Sequence, residues 1–351
     1  MGLGLLGRGL GDTLFLIECG ARVTVTDLKT SEQLAPSLAK LEGLPVTIKV
    51  GGHDEQDFIS ADMILRNADV PQHSPFLKLA EEHGVPIEMD ESLFCKFFSG
   101  LVVGITGTRG KTTTTSLVYN ILKSEGRRVH LAGNIMGMAT LPLLKVVGPQ
   151  DVVTLELSSW QLQGFHRAGI SPQASVFTNI YPDHLNRYTG MDEYIEDKTA
   201  IYKYQKASDF CVFNKDNPVT LRLAGDARSK VSFFSMNDAP KNWDIKLPGD
   251  HNLENVAAAL ITARLLGVRD SVIREAVETF QGVRYRLESL GIKKEVEFIN
   301  DTTSTTPVSG IAALKAYRNR EILLIAGGAD KKLDLTDFAK VAAQMATRIA
   351  L

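Results

Sequence analysis

Short apolar runs of strand length alternate with stretches of helical spacing along the whole chain, which is the pattern of an α/β protein. Strand-like runs fall at 22–26, 101–105, 151–155, 174–178, 209–213, 231–235, 296–300 and 321–326. Helical spacing is expected from the residues after 110 to about 125, and over 192–206, 252–266, 308–317 and 338–351. No internal repeat or low-complexity linker interrupts this order. A chain of 351 residues exceeds what one core usually organises. The pattern restarts near 101 and again near 283, which predicts three units over 1–95, 96–282 and 283–351. Both outer units look cut. The glycine loop opening at Gly2 has no strand before it, and the last unit stops inside an apolar pattern with no stop signal. Truncation at both ends is therefore expected.

Charge and composition narrow the function classes. A net charge of −2 and the lack of a basic run leave nucleic acid without an electrostatic footprint. The three cysteines, Cys19, Cys95 and Cys211, lie far apart without metal-ligand spacing, as in a reducing compartment. No apolar run approaches the roughly 20 residues that span a bilayer, and no signal-peptide succession opens the chain. A soluble cytoplasmic protein is the expectation.

Chemistry concentrates just after the strand-like runs. The segment Thr106-Gly107-Thr108-Arg109-Gly110-Lys111-Thr112-Thr113 lies between a buried strand and a helix. Glycines there let backbone N–H groups turn toward phosphates, and the helix N-terminus adds partial positive charge. Lys111 supplies a cation for β- and γ-phosphates, and the Thr112 hydroxyl suits Mg²⁺. The strict P-loop pattern wants glycine at 105, where isoleucine stands, so this is a variant loop. Glu156 ends the strand 151–155, where a phosphate-bound cation needs an oxygen ligand. His184 follows strand 174–178 in Asn179-Ile180-Tyr181-Pro182-Asp183-His184. Lys198 lies in a helical stretch, where spacing alone also allows a solvated lysine. Asn252 and Asn255 sit one turn apart on one helix face, placed either for a purine edge or for capping. Asp301 follows strand 296–300 and is placed for a ribose or another ligand. Gly2, Gly4 and Gly7 form a GxGxxG loop with Asp27 twenty residues on, which read naively predicts NAD.

Together the segments TGTRGKTT, ELSSWQL, TNIYPDHLNRY, the DK that includes Lys198, GDHNLEN, VRYRLE and FINDTT resemble the Mur ligases, from Gly2 to about Leu335. ELSSWQL is most similar to the D-glutamate-adding branch. The resemblance implies a Rossmann-like UDP-substrate domain, a central P-loop ATPase domain and a Rossmann-like domain that receives the amino acid. It implies ATP as cosubstrate, two Mg²⁺ ions and an acyl-phosphate intermediate. Gly107 to Thr113, Asn252, Asn255, Arg286 and Asp301 are the implied ATP contacts. Thr112 and Glu156 would serve the first Mg²⁺, and His184 and a carbamylated Lys198 the second. Lys111, His184 and Lys198 are the implied catalytic set. For UDP-N-acetylmuramoyl-L-alanine the implied contacts are Leu5, Leu6, Asp27, Leu28, Lys29, Asn67, Asn134, Ser158 and Gln161. Thr305 and Lys331 would meet D-glutamate, and a monomer is implied. Two positions depart from the family pattern: Asn67-Ala68-Asp69 replaces a Pro-Gly turn, and Thr303 stands where many relatives carry lysine. The alternatives are another Mur or folylpolyglutamate type of ligase, a nucleotide-binding fragment without turnover, and an NAD-dependent oxidoreductase that leaves the P-loop unexplained.

Overall fold

Runs that are apolar on both faces settle as central strands of a parallel sheet covered by helices. The computed structural model describes residues 1–135, 139–184, 186–328 and 333–351. It forms two compact units, Met1–Lys111 with Gly126–Phe233, and Thr112–Glu125 with Phe234–Leu351.

The first unit begins with a glycine loop that leads into α1 (Arg8–Glu18), whose N-cap Gly7 takes a φ of 90°. Strand β1 (Val23–Asp27), helix α2 (Ser31–Leu38) and strand β2 (Val46–Val50) follow, with β1 and β2 parallel from Val23↔Val46 to Asp27↔Val50. Next come α3 (Glu55–Ile59), β3 (Ile64–Leu65), α4 (Pro75–Glu82) and β4 (Ile87–Glu88), β3 and β4 again parallel. The extended Met1-Gly2 touches both pairs: Gly2 N–H donates to Thr26 O at 2.8 Å, and Asn67 N–H donates to Met1 O at 3.0 Å.

Helix α5 (Asp90–Phe97) leads into β5 (Leu101–Thr106), α6 (Lys111–Ser124), β6 (Val129–Gly133), β7 (Val152–Glu156), α7 (Ser159–Ala168) and β8 (Ala174–Phe177). Then follow α8 (Met191–Thr199), β9 (Phe210–Asn214), α9 (Pro218–Leu223) and β10 (Lys230–Phe234). Six strands join in the order β10-β9-β8-β5-β7-β6. The chain leaves β5 for one side of the sheet and later returns to its other side through β8. That reversal opens a crevice beyond the C-terminal end of β5. Val153, Leu155, Phe165, Phe177, Ile201 and Phe213 pack in one core around this sheet, all wholly buried.

The second unit holds α6, α10 (Asp250–Leu265) and α11 (Asp270–Thr279). Strands β11 (Glu288–Lys293) and β12 (Val296–Asn300) form an antiparallel hairpin with an irregularity between Ser289 and Ile292. After α12 (Pro307–Ala316) come β13 (Leu323–Ile325), α13 (Thr336–Met345) and β14 (Arg348–Ala350), with β13 and β14 parallel.

Two expected helices prove shorter. Helix α8 ends at Thr199, after which residues 200–204 form turns held by Tyr202 N–H to Thr199 O and Gln205 N–H to Tyr202 O. The apolar pattern over 338–351 is likewise split. Helix α13 stops at Met345, and β-branched Thr347 and Ile349 go to an extended segment beside β13, where such side chains fit better.

Candidate active site

The glycine-rich loop occupies the turn from β5 into α6, at the crevice the sheet order creates. Its shape is set from β8. Thr108 N–H donates to Asn179 O at 2.9 Å and Arg109 N–H to Asn179 Oδ1 at 2.8 Å. The Thr178 hydroxyl donates to Arg109 O at 2.7 Å, so the residues after β8 clasp the loop from beneath. At Gly107, φ is +148° and an added Cβ would lie 1.9 Å from Thr178 Oγ1. No side chain fits there. Gly107→Ala is expected to cost about 1–3 kcal/mol through strain at this backbone position. A thermal melt would read it as a lower midpoint together with weaker nucleotide binding; an unchanged melt would show that the clasp yields freely.

Register places the other candidates around the same edge. Ile105 on β5 pairs with Glu156 on β7, and Thr106 with Phe177 on β8. Glu156 is buried; its Oε1 accepts from Asn134 Nδ2 at 3.1 Å and its Oε2 has no hydrogen-bond partner. A buried carboxylate oxygen with an open lone pair fits a hard cation. No group of three or more His, Cys, Asp or Glu gathers among the described residues. A cation carried mainly by nucleotide phosphates needs only one or two protein carboxylates.

Lys111 Nζ lies 3.0 Å from both Gly107 O and Thr108 O. Lys198, 1% exposed, reaches the same loop from α8 and donates to Gly107 O at 3.0 Å. Its Nζ also stands 4.9 Å from the centre of the Tyr194 ring. Burial first, and then the Lys111 charge, hold the Lys198 ammonium well below the usual lysine range, against Asp183, Asp197 and Glu156. The solvated-lysine alternative therefore fails for this residue. His184 adopts a φ of 55° and packs its ring 4.8 Å from Trp160. Burial first lowers its pKa, and Lys111, Lys198 and Arg187 add to this against Asp183.

Residues implied for the UDP substrate are spread over the first unit. Asp27 is buried and spends its carboxylate on the loop backbone, accepting from Gly4 N–H at 3.1 Å and Lys29 N–H at 2.9 Å. Leu5, Leu6 and Leu28 are exposed, as is Lys29. Asn67 Oδ1 accepts from Asp69 N–H at 3.1 Å. Ser158 caps α7 in a reciprocal pair with Gln161, and the buried Gln161 amide also donates to Glu91. Asn134 lies beside Glu156.

In the second unit Thr112 and Thr113 lie in the first turn of α6. Asn252 and Asn255 open α10 and are buried: Asn252 donates to Pro248 O at 2.8 Å, and Asn255 links Asn252 to Thr114. Asp301 accepts from Leu287 N–H at 3.0 Å and from the Ser304 hydroxyl, while Arg286 and Thr305 are exposed. Lys331 lies outside the described residues. Sequence reasoning missed the clasp by Thr178 and Asn179, and also Tyr194, whose hydroxyl meets Thr108 Oγ1 at 3.1 Å. A Thr-Asn pair directly after a strand was the available signal.

A phosphate-binding loop at a sheet reversal, with an open carboxylate and a buried low-pKa lysine beside it, defines a nucleotide-dependent enzyme of the P-loop kind. The Mur ligase middle domain family matches residues 105–244. A UDP-N-acetylmuramoylalanine–D-glutamate ligase of Roseiflexus sp. is 38% identical over 97% of this chain and 79% of its own length. The enzyme of that name from Geobacillus kaustophilus is 33% identical over 95% and 78%. Among solved structures, the UDP-N-acetylmuramate–alanine ligase of Thermotoga maritima superposes with a TM-score of 0.63 at 22% identity, over 99% of this chain and 83% of that one. The MurF ligase of Thermotoga maritima in complex with ADP gives 0.59 at 20% identity, over 84% of each. The chain belongs to the Mur ligase family. It is an ATP-dependent ligase of the cell-wall class, with that family's α/β fold of parallel sheets. Among the described residues no helix is long and apolar enough to cross a membrane.

Proposed function

We propose that this ligase joins D-glutamate to UDP-N-acetylmuramoyl-L-alanine. The observation that carries the reading is the similarity, at 33–38% identity over nearly the full chain, to enzymes named for that reaction. The ELSSWQL segment supports the same branch. The substrate carboxylate attacks the γ-phosphorus of ATP and ADP leaves, giving an acyl phosphate. The D-glutamate amine then attacks the acyl carbon, loses a proton, and inorganic phosphate departs. Such chemistry rests on positioning and charge neutralisation.

Lys111 is assigned to the developing phosphoryl charge. Glu156 Oε2 is assigned to Mg²⁺, which when bound neutralises phosphate charge, and His184 and Lys198 to a second Mg²⁺. A neutral amine is the form that adds to CO₂, so the depressed pKa of Lys198 supports its carbamylation. The carbamate would offer anionic oxygens where an ammonium would repel a cation. Asn134, Ser158 and Gln161 are assigned to the muramoyl substrate. Asn252, Asn255, Arg286 and Asp301 are assigned to ATP, and Thr305 and Lys331 to the amino acid. Boundaries near 95 and 282, a monomer and a cytoplasmic setting complete the proposal.

The decisive test of substrate class is an amino-acid panel with UDP-N-acetylmuramoyl-L-alanine and ATP, read by product mass. D-glutamate alone should give product; product with a different amino acid and none with D-glutamate would move the chain to another branch. The glycine loop gives a separate prediction. Each Asp27 oxygen already accepts from a backbone amide, which supports a part for this carboxylate in shaping the segment around the glycine loop. Calorimetry should show the UDP substrate binding and NAD not, and the reverse pattern would sink the assignment of this domain.

A further inference from the structure

Arg8 is the first residue of α1, where the helix dipole disfavours a cation. Its place makes sense only through tertiary partners. With Asp12, Asp90 and Glu91 it lines one narrow cavity. Burial lifts the Asp12 and Glu91 carboxyls, Glu91 to about 7, and the Arg8 charge opposes the rise in both. Arg8 shares this cavity with the acids, its Nε and Asp12 Oδ1 without a hydrogen-bond partner, and its Nη2 donates to Asn134 Oδ1 at 2.8 Å.

That contact decides which way the Asn134 amide faces. An asparagine amide presents either its oxygen or its NH₂ to a neighbour. With a guanidinium on Oδ1, the NH₂ must face Glu156, and Nδ2 does donate to Glu156 Oε1 at 3.1 Å. The Asn134 backbone N–H adds a bond to Glu156 O at 2.7 Å. One carboxylate oxygen is therefore capped, and the unpartnered Oε2 is the one left for a ligand. We propose that Arg8 is a positioning residue for Glu156, acting through Asn134 to hold Oε2 open toward the cation. This rests on the assignment of Glu156 to Mg²⁺ above. It extends that site to an arginine 126 residues upstream of Asn134.

The test is the affinity of the full chain for Mn²⁺ in the presence of ADP, read by electron paramagnetic resonance, with ADP affinity in EDTA measured alongside. Outer partners of metal ligands typically change metal affinity by 10- to 100-fold. Arg8→Met is expected to weaken Mn²⁺ roughly 10-fold with metal-free ADP affinity unchanged, and Arg8→Lys, which can still donate to Asn134, to recover part of the loss. If Arg8→Met leaves too little folded protein, the double change with Asp12→Asn removes an acid together with the cation and is measured in the same way. Glu156→Gln separates the two layers of the argument. Unchanged Mn²⁺ affinity in Glu156→Gln would overturn the metal assignment and the proposal with it. Weakened affinity in Glu156→Gln but wild-type affinity in Arg8→Met would overturn the role of Arg8 alone.

Discussion

Replacing Lys111 with alanine is expected to lower ATP turnover roughly 1,000-fold, the upper end of what losing one donor to a developing charge costs. The ammonium sits 3.0 Å from the Gly107 and Thr108 carbonyls, so it belongs to the loop that would receive the phosphates. The fold should survive. Lys111 is only half-buried, and the loop is clasped independently by Thr178 and Asn179 through backbone atoms of Thr108 and Arg109. Phosphate release together with a thermal melt checks both halves of this expectation. Near-wild-type turnover in a folded Lys111→Ala protein would remove the P-loop assignment.

Lys198→Ala is expected to lose activity on the order of 100-fold, as for the loss of a single charge-stabilising group. Bicarbonate or a short-chain carboxylic acid should restore part of it, since either can place an oxygen anion in the space left by the side chain. A merely structural lysine would show no such rescue. The same residue makes a pH prediction. Its folded-state pKa lies below the ordinary 10.5, so between the two values the unfolded chain binds more protons. Lys198 therefore penalises folding at low pH, and the penalty fades as pH rises through the folded value toward 10.5. In bicarbonate-free buffer, Lys198→Met should be more stable than wild type at neutral pH, with the gain shrinking in alkali. A gain that grows with pH would contradict the buried-amine account.

How far the sequence revealed this site depended on whether a feature was local. The turn from β5 into α6 was legible because strand, glycines, lysine and helix are contiguous. The positions of Glu156 and His184 were legible because Glu156 ends β7 and His184 lies beyond β8, and parallel strands bring their C-terminal ends to one edge. Burial of Lys198 was not legible: one lysine on a helix looks like the next until tertiary packing puts it under the loop. The Arg8–Asn134–Glu156 chain was equally hidden, since it joins residues far apart in sequence and no periodicity encodes an amide's orientation. Asp27 has the spacing of a dinucleotide site, while its contacts to the Gly4 and Lys29 amides, invisible in the sequence, tie it to the loop backbone. The pattern over 338–351 misled for a simpler reason: the apolar spacing runs on past Met345, although the β-branched Thr347 and Ile349 favour the extended pairing with β13.

The proposed reaction ties ATP cleavage to amide-bond formation with D-glutamate. Inorganic phosphate released from ATP in the presence of UDP-N-acetylmuramoyl-L-alanine, measured with and without D-glutamate, tests it most directly. Little release is expected without the amino acid and sustained release with it, matched one for one by coupled product. Phosphate release indifferent to D-glutamate, or none with all three substrates present, would contradict it.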